Sequence, residues 1–341
     1  MKYLLFISFL ILQSVLNEDE VEIVNSYNNT DELIEKFPVI NPTTVEPGLE
    51  RNIQNRLLTG FENWNRGFEA WKAWGDILYT KDSIYNVNGA RLSLTQYQAA
   101  MNLSLKQVNI LMGAFHNMII CDDFTAIRYD IIRIIGENEI SGTVMEFVKF
   151  KDYGEELGTR VVEGWGGVKG NNYEGMLSFQ GPEEKEIQEK QIENIMNYEI
   201  PDTDDLQEKY PVIYPTKYKG NKAKEILRII LKGFDSWNQG IDSYLKWVNE
   251  GYDSDAESTD TNDEKRTMSE YKSAMKSLVK KENIKKLYFN NILIRDDWAA
   301  IHYYCAGEDL EKGEKTWGDK MQFLKFKDKD DGLKIISSWI H

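Results

Sequence analysis

Leu57, Phe61, Trp64, Phe68 and Trp71 recur at steps of four, three, four and three. That spacing lays them on one face of a 3.6-residue period and predicts a helix over 57–71. The stripe returns as Ile230, Phe234, Trp237, Ile241 and Tyr244. Gly60 and Gly67, matched by Gly233 and Gly240, each cost such a helix about 1 kcal/mol relative to alanine. Their recurrence predicts close packing against a neighbouring surface. The pattern then changes period. "DSIYNV" (82–87) predicts a short strand, and "SLTQYQAAMNLSLKQ" a second helix with Ser93 or Thr95 as its cap. "AFHNMIIC", "FTAIRYDIIRII", "GTVMEFVKFKD" and "GTRVVEGWGG" are β-rich, with Asp122-Asp123 making a turn between two of them. Helices followed by consecutive strands predict an α+β unit, in which helices pack on a curved antiparallel sheet.

The whole pattern is written twice. "LLTGFENWNRGF" at 57–68 matches "ILKGFDSWNQGI" at 230–241, and "CDDFTAIRYD" at 121–130 matches "RDDWAAIHYY" at 295–304. "LTQYQAAM" at 94–101 matches "MSEYKSAM" at 268–275, "MEFVKFKD" at 145–152 matches "MQFLKFKD" at 321–328, and "RVVEGW" at 160–165 matches "KIISSW" at 334–339. Five matches in order, at offsets of 173 to 176 residues, imply a tandem duplication of whole domains rather than a solenoid. The predicted units span 51–170 and 222–341. Between them, 171–221 is a linker whose "GPEEKEIQEKQIENIM" predicts a surface helix and whose later prolines disfavour regular structure. Residues 18–50 form an acidic, proline-bearing arm, and "EKFPVINPT" at 35–43 echoes "EKYPVIYPT" at 208–216. The stretch "YDSDAESTDTNDEKRT" at 252–267 is expected to be an acidic surface loop.

Composition narrows the partners. With 41% hydrophobic and 12% aromatic residues, the 341-residue chain has material for two cores. Its net charge of −15, from 56 acids against 41 bases, opposes nucleic-acid and anionic-membrane binding. One lysine, an apolar run from Tyr3 to about Leu16 and then acids read as a secretory signal peptide over 1–17. The expected destination is the secretory pathway, with no stable membrane association after its removal; an uncleaved N-terminal anchor is the alternative. Asn28 and Asn102 head glycosylation sequons. Cys121 and Cys305 fall at non-equivalent positions, so either a single disulfide or two buried free thiols fits. Without a CxxC or a Cys/His cluster, no zinc site and no other metal site is signalled.

The order of elements, with "DDFTAIRYD" as one strand and "RVVEGW" as the closing strand, resembles the SnoaL-like polyketide cyclase family of the NTF2-like superfamily over about three-quarters of the chain. The resemblance implies two tandem cone-shaped α+β barrels, each with an internal pocket. It also implies that the two copies pair within the chain, as an intrachain pseudo-dimer, the way single-domain relatives pair between chains. Such cyclases close a ring by aldol chemistry with an acidic side chain as general acid/base and no metal or cofactor. The family's acid follows the closing-strand tryptophan; here "WGGVKGN" follows Trp165 and the sequence ends two residues after Trp339. That departure puts cyclase activity in doubt.

Other side chains then have to carry any chemistry. Alternation places Phe124, Ala126, Arg128 and Asp130 on one face of their strand and Thr125, Ile127, Tyr129 and Ile131 on the other. If the first face lines the pocket, Arg128, Asp130 and the matching His302, with Glu163 on the closing strand, are the catalytic candidates. Trp64, Phe68, Tyr85, His116, Arg128, Trp237 and His302 are the candidate ligand-binding residues. Arg128 and Asp130 forming ordinary polar pairs at an interface is the competing expectation. Three functions remain open: a binding protein for a small, largely apolar organic ligand, a cyclase-like enzyme using metal-free acid/base chemistry, and a pseudo-dimer without a ligand.

Overall fold

The computed structural model describes residues 30–87, 89–107, 109–135, 137–154, 158–168, 174–260 and 264–341. The signal-peptide reading, the sequon at Asn28 and residues 18–29 of the arm lie outside the described residues.

The aromatic stripe is carried by two helices rather than one. Leu49–Asn65 ends before Gly67, and Phe68–Leu78 starts after it; unit two repeats this as Gly220–Asn238 and Ile241–Gly251. Gly67 and Gly240 both have φ of 115°, a conformation closed to most side chains, so each glycine breaks the helix. The stripe survives because the two helices fold back on one another. Gly60 and Gly233 allow that approach: a Cβ on either would stand 2.6 Å from the ring of Trp74 or Trp247. Leu94–Gln107 forms the predicted second helix, with the Ser93 backbone N–H donating to Gln96 Oε1 at its start. Pro182–Met196 is the predicted linker helix.

Unit one contributes β1 (Val39–Asn41), β2 (Tyr79–Val87), β3 (Ala90–Ser93), β4 (Asn109–Cys121), β5 (Phe124–Ile135), β6 (Asn138–Asp152) and β7 (Thr159–Val168). They form one sheet in the order β1-β4-β5-β6-β7-β2-β3. In unit two, β8 (Tyr252–Thr259), β9 (Lys265–Thr267), β10 (Glu282–Arg295), β11 (Trp298–Asp309), β12 (Glu314–Lys329) and β13 (Gly332–Ile340) form a second, in the order β10-β11-β12-β13-β8-β9. Both sheets are mixed, because β7 pairs with β2 and β13 with β8 in parallel. The expected α+β units of helices on a sheet are present, with mixed sheets in place of the wholly antiparallel ones expected. The supposed acidic loop at 252–267 is corrected too, since β8 and β9 form an edge hairpin. Ala256 and Ser258 are buried on one side of β8 while Asp255 and Glu257 are exposed, an alternation that acidity had masked.

Each sheet presents two apolar faces. Ile127, Tyr129 and Ile131 of β5 pack under the helices with Ile53, Leu58 and Phe61, forming the core of unit one. The opposite face carries Phe124 and Ala126, and joins Phe147 and Trp165 to Leu293, Trp298, Ala300 and Phe323 of unit two in one buried cluster. Polar contacts repeat across that seam. The Asp296 carboxylate accepts from the Thr44 backbone N–H at 2.7 Å, and Asp122 accepts from that of Lys217 at 3.0 Å. Thr44 and Lys217 are equivalent positions in the two proline-bearing arms. Each arm therefore runs along its own sheet, β1 beside β4 and Val212 beside Phe289, and ends on the Asp-Asp turn of the other unit. Asp122 and Asp296, both at φ of 55°, lead those turns. Cys121 and Cys305 are buried free thiols.

Candidate functional site

A cavity of about 100 Å³ lies in unit one between the helices and the inner face of the sheet. Trp64, Trp71, Tyr85, Tyr97 and Tyr129 supply much of its aromatic wall, and Glu146 is the carboxyl among its lining residues. Local sequence accounts for the arrangement. Val144, Glu146, Val148 and Phe150 alternate along β6, so the acid shares a face with core residues. Trp64 reaches from its helix and is held by its indole N–H, which donates to the Ile110 carbonyl at 2.7 Å. Tyr85 of β2 stacks on Tyr97 with centroids 4.4 Å apart.

Glu146 is held by aromatic hydroxyls. Tyr129 Oη donates to Oε1 at 2.8 Å, and Tyr85 makes a second hydrogen bond to the carboxyl. Burial raises the carboxyl above its ordinary value, with those two hydrogen bonds acting in the opposite direction. Burial, followed by the nearby Glu146 charge, likewise pushes the Tyr85 hydroxyl far up. Burial thus works against the charged carboxylate, while the two hydroxyls that donate to it work for it, in an otherwise apolar space. A shallower groove of about 310 Å³, lined by Phe68, Asn102 and Leu105, adjoins the cavity and shares Trp64 and Ile110 with it.

The structure brings only some of the expected residues to this site. Trp64 and Tyr85 line the cavity, and Phe68 lines the adjoining groove. Arg128 and His302 do not point into a pocket: the face expected to line one is the face packed against the other unit. Arg128 donates from Nε to Asn117 Oδ1 at 3.0 Å and lies 4.2 Å over the Trp339 ring. His302 is fully buried between Asn290, 2.9 Å from Nδ1, and Asp319, 3.0 Å from Nε2, beside the rings of Phe147 and Trp165. His116 and Asp130 form a half-exposed pair at 2.8 Å, and Glu163 accepts from the Tyr214 hydroxyl of the connecting segment at 3.0 Å. Trp237 is buried under the helices of unit two, its indole donating to the Ile284 carbonyl at 2.8 Å.

Glu146 went unselected from the sequence, although one signal was there. In "MEFVKFKD" against "MQFLKFKD", an acid amid apolar alternation becomes Gln322 in the second copy. Among the described residues, no group of three or more His, Cys, Asp or Glu side chains is placed to hold a metal ion.

Solved structures similar to this chain include SnoaL-like and NTF2-like proteins. A candidate SnoaL-like polyketide cyclase from Jannaschia sp. has 14% identity, covering 35% of this chain and 85% of its own, at a TM-score of 0.29. An NTF2-like protein of unknown function from Burkholderia pseudomallei has 7% identity, covering 34% of this chain and 88% of its own, also at 0.29. A ketosteroid isomerase-like protein from Erwinia carotovora has 10% identity, covering 34% of this chain and 91% of its own, at 0.28. Each likeness takes up the length of one unit and, at these scores, carries nothing about the site. No protein-family model matches the chain, and no curated protein matches it.

The two histidine–aspartate pairs carry a pH prediction. Burial, the largest single influence, acts to raise Asp130 and Asp319, but the hydrogen bonds and charges of His116 and His302, together with weaker neighbours, outweigh it, and both carboxyls sit below the ordinary 3.8. A carboxyl depressed on folding contributes stability above its unfolded value and loses it as pH falls through the folded one. Stability should therefore drop as pH is lowered below about 3.8. Substituting both aspartates with asparagine should flatten that acid limb in urea titrations between pH 5 and 2.5. An acid limb unchanged in the double variant would show that these pairs contribute nothing to it.

Proposed function

We propose that unit one binds a small, largely apolar organic molecule bearing a carbonyl or hydroxyl group. The observation that carries this reading is the Glu146 carboxyl, held by Tyr129 and Tyr85 inside an otherwise aromatic cavity. A cavity of this kind with a few converging polar groups is the usual form of a small-molecule site. At about 100 Å³ it is smaller than the ~150 Å³ apolar cavity known to take benzene. The ligand's buried head is therefore limited to one ring, and a longer substituent would follow the groove past Trp64. The raised carboxyl also supports a second reading, proton transfer at the carbon beside a ligand carbonyl, an isomerase or cyclase type of step.

The pairing of the two units through their outer sheet faces and crossed arms is part of the proposal: the second copy stands in for a partner subunit. Secretion rests on the Tyr3–Leu16 run alone. Among the described residues, no helix is long and apolar enough to cross a membrane.

Calorimetric titration with phenol and cyclohexanone tests the site. Wild type should bind, and Glu146→Leu should weaken binding about five- to tenfold by removing the buried hydrogen-bonding group. Equal affinity in the variant, or no binding by wild type at millimolar probe, would reject the reading. Deuterium exchange at the α-carbon of bound cyclohexanone, lost in Glu146→Gln, would establish the proton-transfer reading.

A further inference from the structure

Unit two puts a different chemistry on the ground that the cavity occupies in unit one. Phe61, Trp64, Trp71, Met112 and Tyr129 line the unit-one cavity. Their counterparts by the internal repeat are Phe234, Trp237, Tyr244, Lys286 and Tyr303. An apolar methionine has thus become a lysine, while the surrounding rings are kept as rings. The Lys286 ammonium lies 4.8 Å from the centroid of Phe234, 5.1 Å from Trp237, and 5.4 Å from Tyr244 and Tyr303. The register of the sheet is kept as well: Asn238 donates to the Lys286 carbonyl at 2.7 Å and accepts from its N–H at 3.0 Å.

We propose that unit two carries a second site, in which the Lys286 amine captures a small aldehyde or ketone as an imine. No carboxylate among the described residues pairs with this ammonium; the titratable side chains beside it are Tyr244 and Tyr303, met through their rings, and Cys305 across the strand pair. Ring faces stabilise a cation, but they do not replace its lost hydration. Burial lowers the amine to about 8, with Cys305 acting weakly the other way, so a useful fraction is neutral and nucleophilic near neutral pH. The residue nevertheless keeps some accessible surface. Tyr244 and Tyr271, hydroxyl to hydroxyl at 2.7 Å, add a hydrogen-bonding pair on the same wall. In the step, the amine nitrogen forms a bond to the carbonyl carbon, and the carbonyl oxygen takes up a proton to give a carbinolamine. The carbon–oxygen bond then breaks, water leaves with a proton from nitrogen, and the carbon–nitrogen double bond remains.

The full-length protein is treated with benzaldehyde and cyanoborohydride, which fixes an imine as a secondary amine, and the labelled lysines are mapped by peptide mass spectrometry. Lys286 should label at least about tenfold faster at pH 7 than the exposed Lys190, because burial lowers the Lys286 amine. Its rate should reach half-maximum near pH 8. Lys286→Met, which installs the residue unit one has here, should abolish the fast label while the far-ultraviolet dichroism is kept. Labelling of Lys286 no faster than Lys190, or a fast label surviving in a folded Lys286→Met variant, would overturn the proposal. If the variant does not fold, the wild-type comparison of Lys286 with Lys190 decides alone.

Discussion

Arg295→Met should lower the free energy of unfolding by about 3–5 kcal/mol, the loss typical of removing one partner from a buried ion pair. Arg295 Nη2 donates to Glu50 Oε1 at 2.5 Å and to the Ile120 carbonyl at 2.9 Å, joining the turn of unit two to the first long helix and sheet of unit one. Only 6% of the Glu50 side chain and 11% of the Arg295 side chain is exposed, so water would not replace the lost partner. Methionine keeps the length of the stem, which separates the charge from the packing. Glu50 would retain the backbone N–H groups of Glu46 at 2.8 Å and Asp122 at 3.1 Å, but no cation to balance its charge. The double variant Glu50→Gln/Arg295→Met should recover part of the loss, because no unpaired charge remains. Guanidinium unfolding that places the single variant within 1 kcal/mol of wild type would show that this pair is solvated and that the seam does not depend on it.

Phe147→Ala should cost a similar amount, about 3–5 kcal/mol, through the cavity it leaves. Phe147 is fully buried on the outer face of β6, its centroid 5.5 Å from that of His302 and 6.4 Å from that of Phe323. Neither unit can close over the gap without shifting a sheet. The loss should register on both units, as one transition moving to lower denaturant whether followed by fluorescence or by dichroism. Two separated transitions, only one of them displaced, would mean that the units unfold independently and that Phe147 serves one alone.

Much of the fold was legible because its signals are local. Hydrophobic period distinguishes helix from strand over ten or so residues, and a duplicated text distinguishes signal from accident. The stripe from Leu57 to Trp71 identified the helical face even though Gly67 splits it. The break depends on a backbone angle of 115°, which the spacing of side chains does not encode. At 252–267, the run of acids hid an alternation that becomes decisive only when β8 finds β13 beside it.

The site was less legible, for a reason visible on β5. Alternation divides Phe124, Ala126 and Arg128 from Ile127, Tyr129 and Ile131, and nothing in the strand says which set meets the helices. Both sets are apolar enough to be buried, because in this protein both are: one against helices, the other against the second sheet. Arg128 and His302 consequently read as pocket residues but lie at the seam, while Glu146, on the face that does meet the cavity, is not among the candidates that the sequence offers. The chain alone determined two repeated α+β units, their arms and their aromatic helix faces, since these follow from period and repetition. Only the tertiary structure decided which face of each sheet is enclosed by helices and which by the other unit, because that choice is made by contacts between segments up to 252 residues apart.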